Sequence, residues 1–237
     1  MKVKPGMGED YQKLESVWKK IHEAKIKEGK LQDWALYSIM SPYGSNTEYN
    51  YVAMNIYVGE DQLASHFAYE MPDLKTILSA DEMAMVEKTS EYRTLVKEEI
   101  FRLRDHTYKD KPFEVCVVNY MKSKPGFMGR DMGAMEAKYW KPVHLSSIES
   151  GDRSNWGMYS LEYPYGSSSE YNAVTVDFFE DMSQLLATPS EDVFKKVHPN
   201  ESFSNIMKET TKVRSLVKAE IWKRLDETDN RSNSTNN

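Results

Sequence analysis

One cysteine in 237 residues, Cys116, leaves no intrachain disulfide and too few thiolates for a structural zinc site. Set in Val115-Cys116-Val117-Val118, it reads as a small buried hydrophobe rather than a nucleophile. No apolar run approaches the ~20 residues that a membrane-spanning helix needs. There is no glycine-rich phosphate loop, no Gly-x-Ser-x-Gly elbow and no His-Glu-x-x-His helix, which excludes nucleotide-dependent and zinc-hydrolase chemistry. Blocks of positive charge are also lacking: 31 basic side chains stand against 37 acidic ones, for a net charge of −6. A phosphate backbone is held mainly by clustered cations, so nucleic acid is not an expected partner. His66, His106 and His198 show no ligand-like spacing, and no metal site is expected.

What the chain does have is aromatic mass and a long internal repeat. Fifteen tyrosines and five tryptophans can supply core volume or flat walls for an organic ligand. Met1-Lys2-Val3-Lys4-Pro5-Gly6 returns as Met121-Lys122-Ser123-Lys124-Pro125-Gly126. At an offset of 122, Trp18, His22, Ile26, Gly29, Trp34 and Tyr37 match Trp140, His144, Ile148, Gly151, Trp156 and Tyr159. Pro42-Tyr43-Gly44-Ser45 and Tyr49-Asn50 match Pro164-Tyr165-Gly166-Ser167 and Tyr171-Asn172. Near the end the offset is 121: Arg93, Leu95-Val96-Lys97 and Glu99-Ile100 match Arg214, Leu216-Val217-Lys218 and Glu220-Ile221. Such a period is too long for a solenoid, so each copy is expected to be a domain-sized unit. Phe113 to Tyr120 reads as a strand leading into the second copy, with no counterpart before Met1. The reading is that the chain begins partway into its first strand and that the natural product carries more N-terminal sequence, which leaves a leader and the compartment open.

Within a copy, a strand ends at Lys-Pro-Gly. A helix follows with Tyr11, Leu14, Trp18, Ile21 and Ile26 at helical spacing, capped by Gly29. In the second copy the stripe is Met132, Met135, Tyr139, Val143 and Ile148, closed by Gly151, with Pro142 expected to kink or restart the helix. Trp34–Met40 and Tyr49–Val58 read as a hairpin around the Pro42-Tyr43-Gly44 turn. Helix is expected from Asp61 to about Thr89, broken at Pro72. Arg93–His106 fits both periodicities, with strand favoured. The order is β-α-β-β-α-β twice, the ferredoxin-like unit, over residues 1–111 and 112–229, with a polar, disordered tail at 230–237. Both helices would cover one sheet face, and the bare faces of two fused units would pack together as a barrel.

The lead strand, the helix with Trp-Lys-x-x-x-His, Trp-x-x-Tyr, the Pro-x-Gly turn and Tyr-Asn resemble the dimeric α+β barrel superfamily. Within it the chain is similar to NIPSNAP-like, EthD-like and antibiotic-biosynthesis-monooxygenase-like proteins. The resemblance implies a barrel that normally forms between two chains, here formed by fusion within one. It also implies a range of roles: cofactor-free monooxygenases, lactone isomerases, haem-dependent enzymes and proteins of unknown role.

His22 and His144 lead the candidates. Each lies four residues after a tryptophan, on or beside the buried stripe, where an imidazole acts as general base, orients a substrate, ligates iron or packs as a core residue. Trp18, Trp140, Trp34, Trp156, Tyr37 and Tyr159 would wall a cavity or fill the core, with Trp34 and Tyr37 on opposite strand faces. Tyr49, Asn50, Tyr171 and Asn172 would line the pocket or satisfy turn backbone. Arg93, Arg214, Glu99 and Glu220 share a face if their segment is a strand. Arg and Glu are then about 20 Å apart, serving as barrel carboxylates or surface ion pairs. The expected function is binding of a small apolar or aromatic molecule, or oxygenase- or isomerase-like catalysis without a cofactor, with haem as the lesser expectation. The alternative is a non-catalytic module with a solid core. A further homodimer is expected from aromatic residues on the outer helices.

Overall fold

The computed structural model describes residues 1–44, 46–109, 111–187 and 191–228. The expected disordered tail at 230–237 lies outside them. The chain forms two compact units, one comprising Met1–Lys97 with the residues from Arg224 onward, the other Glu98–Lys223.

The first unit contains, in chain order, β1 (Lys2–Val3), α1 (Gly8–Lys27), β2 (Asp33–Ser41), β3 (Tyr51–Ile56), α2 (Gly59–Phe67), α3 (Leu74–Ile77), α4 (Ala80–Glu87), α5 (Thr89–Tyr92) and β4 (Arg93–Thr94). Helix α1 buries Tyr11, Leu14, Val17 and Ile21 along one stripe. Glu9 and Asp10 in its first turn and Lys25 and Lys27 in its last complement the helix dipole. The inner stripe packs with Val3, Leu31, Trp34 and Leu36 into one core cluster. β2 and β3 form an antiparallel hairpin that sets Trp34 opposite Asn55. β1 pairs with β4, and the amides of Asn50 and Tyr51 both donate to the Met1 carbonyl. Thr228, near the chain end, donates its amide to the Trp34 carbonyl at 2.9 Å.

The second unit contains β5 (Ile100–His106), β6 (Val115–Ser123), α6 (Gly129–Met135), a π-helical turn (Glu136–Trp140), α7 (Lys141–Ser150), β7 (Asn155–Tyr163), β8 (Ala173–Phe179), α8 (Met182–Leu186), α9 (Glu191–Val197), α10 (Phe203–Val213) and β9 (Arg214–Glu227, within this unit as far as Lys223). Its sheet runs β9-β6-β8-β7-β5 with every neighbour antiparallel. Antiparallel sheets with helices define the α+β class. Cys116 is buried in β6.

The ambiguous last segment is strand in both halves. It is continuous in β9, but in the first half residues 95–99 separate β4 from β5. The compact units cross the sequence repeats at these segments. β5 comes from the first repeat yet pairs with β7, and residues 224–228 of the second repeat lie in the first unit.

One sequence expectation is corrected. β3 and β8 begin at Tyr51 and Ala173, so Tyr49, Asn50, Tyr171 and Asn172 precede their strands. The alternation of polar and apolar residues had run on through the turn. At Pro142 the second-half helix restarts, one of the two outcomes expected there: it widens into the π turn, and α7 begins at Lys141 with Pro142 in its first turn. A π turn absorbs one extra residue. Gly8 and Glu15 accordingly align with Gly129 and Glu136 at an offset of 121, whereas Trp18 and His22 align with Trp140 and His144 at 122.

Gly151 ends α7 in the left-handed conformation, at φ 84°. A Cβ there meets no neighbouring atom, so the cost of Gly151→Ala is conformational alone. It is expected to lower the unfolding free energy by about 1 kcal/mol, read as a shift of the urea midpoint at unchanged slope.

Candidate functional site

In each unit the long helix presents a histidine to the tryptophan of the first hairpin strand. His22 lies flat on Trp34, with ring centroids 5.3 Å apart and planes 17° apart. His144 lies on Trp156 at 5.0 Å and 17°. Trp18 and Trp140 flank the imidazoles at 6.3 and 6.5 Å. Each of these indoles is fixed by a threonine: Trp18 Nε1 donates to Thr89 Oγ1 at 3.3 Å, Trp140 Nε1 to Thr210 Oγ1 at 2.9 Å. Trp34 and Trp156 are fully buried, and neither indole N–H has a partner among the described residues.

Beyond this shared frame the copies differ. In the second unit, Arg153 Nη1 reaches both His144 Nδ1 and Asp177 Oδ1, and Asp177 Oδ2 accepts from Asn119 Nδ2 at 2.9 Å. The guanidinium is thus held between an imidazole and a carboxylate. Further along the helix, Arg214 Nε donates to Glu136 Oε1 at 2.7 Å and lies 6.0 Å from the Trp140 ring. Burial, offset in part by Arg214, pushes the Glu136 carboxyl up to about 7. Burial, reinforced by Arg153 and Arg214, holds His144 well below the usual imidazole range.

In the first unit the equivalents are Leu31 for Arg153, Asn55 for Asp177, Glu15 for Glu136 and Arg93 for Arg214. Among the described residues, His22 Nδ1, Asn55 Oδ1, Glu15 Oε1 and Arg93 Nε are all buried without a partner. Burial, with a smaller contribution from Lys25, depresses His22 to about 3. Burial raises Glu15 against the opposing pull of Tyr11 and Arg93. Each histidine is therefore a neutral imidazole at physiological pH, an acceptor or donor rather than a cation.

The other sequence candidates fall elsewhere. Asn50 Oδ1 accepts from the Val3 amide at 2.9 Å and Asn172 Oδ1 from the Ser123 amide at 3.0 Å, so these asparagines satisfy strand backbone. Tyr171 donates to Glu99 Oε1 at 2.6 Å. Glu220, buried, accepts from Tyr120 at 3.2 Å and Trp222 at 2.9 Å and pairs with Lys218 at 3.1 Å. Lys97 stands 5.1 Å over the Tyr49 ring. Tyr37 is buried, and the Tyr159 hydroxyl bonds to that of Tyr108. The structure thus groups His22 with Trp18 and Trp34, and His144 with Trp140, Trp156 and Arg214. Sequence reasoning missed Glu15, Leu31, Asn55, Glu136, Arg153 and Asp177. The last two would have emerged from asking where the aligned copies differ in charge.

A cleft of about 260 Å³ in the first unit is lined by Lys19, Arg224, Leu225, Asp226 and Glu227, and contains none of the predicted site residues. No helix among the described residues is long and apolar enough to cross a membrane. No group of three or more His, Cys, Asp or Glu among them could hold a metal ion.

No protein-family model matches the sequence, and no curated protein matches it. Among solved structures the chain is similar to a provisionally named monooxygenase from Lactobacillus acidophilus, at 11% identity and a TM-score of 0.55, over 97% of this chain and 93% of that one. It is also similar to a provisionally named chlorite dismutase, at 10% identity and a TM-score of 0.44, over 95% and 91% of the two chains. A haem-binding protein from Thermus thermophilus matches at 12% identity and a TM-score of 0.41, over 93% and 83%. The first match shows a shared fold.

The expectation that the chain works without a cofactor is corrected by this company, which includes a haem-binding protein and a provisionally named chlorite dismutase. The Nδ1 atom of His144 is held by Arg153 and so is not offered as a haem ligand in this arrangement.

Proposed function

We propose that the chain is a tandem duplication of one ferredoxin-like unit that binds a small, largely aromatic molecule, as a carrier or an enzyme, beside the helix-borne histidine. The observation that carries this reading is the buried, uncharged imidazole lying flat on a buried indole, with a second indole beside it. Such a group can accept a proton or hydrogen bond from a ligand without the desolvation cost of burying a charge. Trp18 and Trp34, or Trp140 and Trp156, would enclose the ligand's faces.

A thermal-shift panel of small aromatic molecules tests the reading, since a ligand at 100 times its Kd stabilises the native state by about 2.7 kcal/mol. The expected result is a concentration-dependent rise in Tm with at least one aromatic class. Haemin belongs on the same plate, read by its Soret band. A flat response to every aromatic compound, with no Soret shift, would leave the histidines as packing residues.

A further inference from the structure

The two copies of the site differ by one paired exchange, and that exchange indicates both which copy works and what it takes. Trp34 lies opposite Asn55 and Trp156 opposite Asp177 at the same position in the hairpin register, so Asn55 and Asp177 occupy equivalent places. Leu31 and Arg153 are likewise equivalent, each three residues before its tryptophan. In the second unit the Arg153 guanidinium occupies the space between His144 Nδ1 and Asp177 Oδ1, donating to both. In the first unit the arginine is a leucine, and the two acceptors it would have served, His22 Nδ1 and Asn55 Oδ1, are buried and unpartnered. Buried polar atoms are ordinarily satisfied, and leaving one without a partner costs about 1–3 kcal/mol. Two such atoms, at the positions equivalent to the acceptors that Arg153 serves in the other copy, mark a place for a donor from outside the chain.

Resting on the reading above, we infer that the first unit alone carries the working site, and that its ligand is an uncharged planar molecule presenting N–H or O–H donors to His22 and Asn55. The second unit is the same site closed by its own arginine. The charge of the donor follows from the exchange. Asp177 balances the Arg153 cation, whereas Asn55 is neutral and His22 has Lys25 for a neighbour, so a cation held between His22 and Asn55 would lack the counter-charge that Asp177 supplies. A neutral donor needs none. The unpartnered Glu15 Oε1, on the same helix face one and two turns before Trp18 and His22, adds a further acceptor to this copy only.

Benzamide, benzamidine and methyl benzoate are matched probes: a neutral donor, a charged donor and no donor on one ring. Calorimetry on the full chain is expected to give one benzamide site per chain, with the other two probes about tenfold weaker or more. Closing the first unit with Leu31→Arg plus Asn55→Asp removes that site. Opening the second with Arg153→Leu plus Asp177→Asn gives two sites per chain. Imidazole ¹⁵N spectra of the unaltered protein supply a readout that needs no variant, because benzamide should move the His22 signal and leave that of His144 in place. Two sites in the unaltered chain, a shift at His144, or preference for benzamidine would overturn the asymmetry or the neutral-donor class while leaving small-molecule binding intact. Absence of binding both to the unaltered chain and to the opened variant would sink the proposed function itself.

Discussion

Arg153→Leu is expected to be among the most destabilising single changes in the chain, lowering the unfolding free energy by about 3–5 kcal/mol. The guanidinium is buried and serves two partners, so its removal strands the Asp177 carboxylate and the His144 ring nitrogen together. Asp177 keeps its bond from Asn119, with that of Asn119 to Thr175 behind it. Adding Asp177→Asn should recover much of the loss, because the first unit tolerates that leucine and asparagine combination at the same register. A double-mutant cycle by urea denaturation measures the coupling, expected at roughly 2 kcal/mol or more between contacting charges. Additive single effects would show that the arginine acts by packing rather than by charge.

The second large effect is acid sensitivity. The His22 imidazole titrates near 3 in the fold against an ordinary value of 6.5. Because the folded value lies below the unfolded one, the unfolded chain takes up the proton first. The stability due to neutral burial is then full above 6.5 and is lost as pH falls towards 3. At pH 5 the loss is about 2 kcal/mol from this residue alone. Glu136 works in the opposite sense: its folded value of about 7 exceeds the usual carboxylate 4.5, so its contribution is present below 4.5 and lost as pH rises through 7. Comparing one variant with its parent at each pH cancels that counter-current. His22→Phe keeps a ring on Trp34 but cannot titrate, so the gap between its stability at pH 8 and pH 5 should be smaller than the parent's by about 2 kcal/mol. An unchanged gap would mean that the imidazole is hydrated in the native state.

The element order was legible because apolar spacing and repeat identity agreed: Tyr11, Leu14 and Ile21 had to face inwards, and Trp18 and His22 came with them. The paired rings of His22 and Trp34 followed in outline from helix and strand periodicity. The π turn was not legible, because one inserted residue between Glu136 and Trp140 changes neither composition nor pattern, only the offset. Nor was the destination of Ile100–His106, since its periodicity specifies a strand but not the neighbour whose free edge receives it. The contrast between Arg153 and Leu31 escaped for a different reason. Matching identical residues finds what the two repeats share, while the chemistry that separates the two sites lies in where they differ.

The placement of the last strands bears on how this chain can be divided. A gene cut between residues 111 and 112 would follow the sequence repeat and still sever both compact units. The N-terminal product would lose Thr228, which holds the backbone of Trp34, and the C-terminal product would lose the edge strand that flanks β7. The sequence repeat runs along the polypeptide in two consecutive halves and the compact units do not, so neither half holds every residue of its unit.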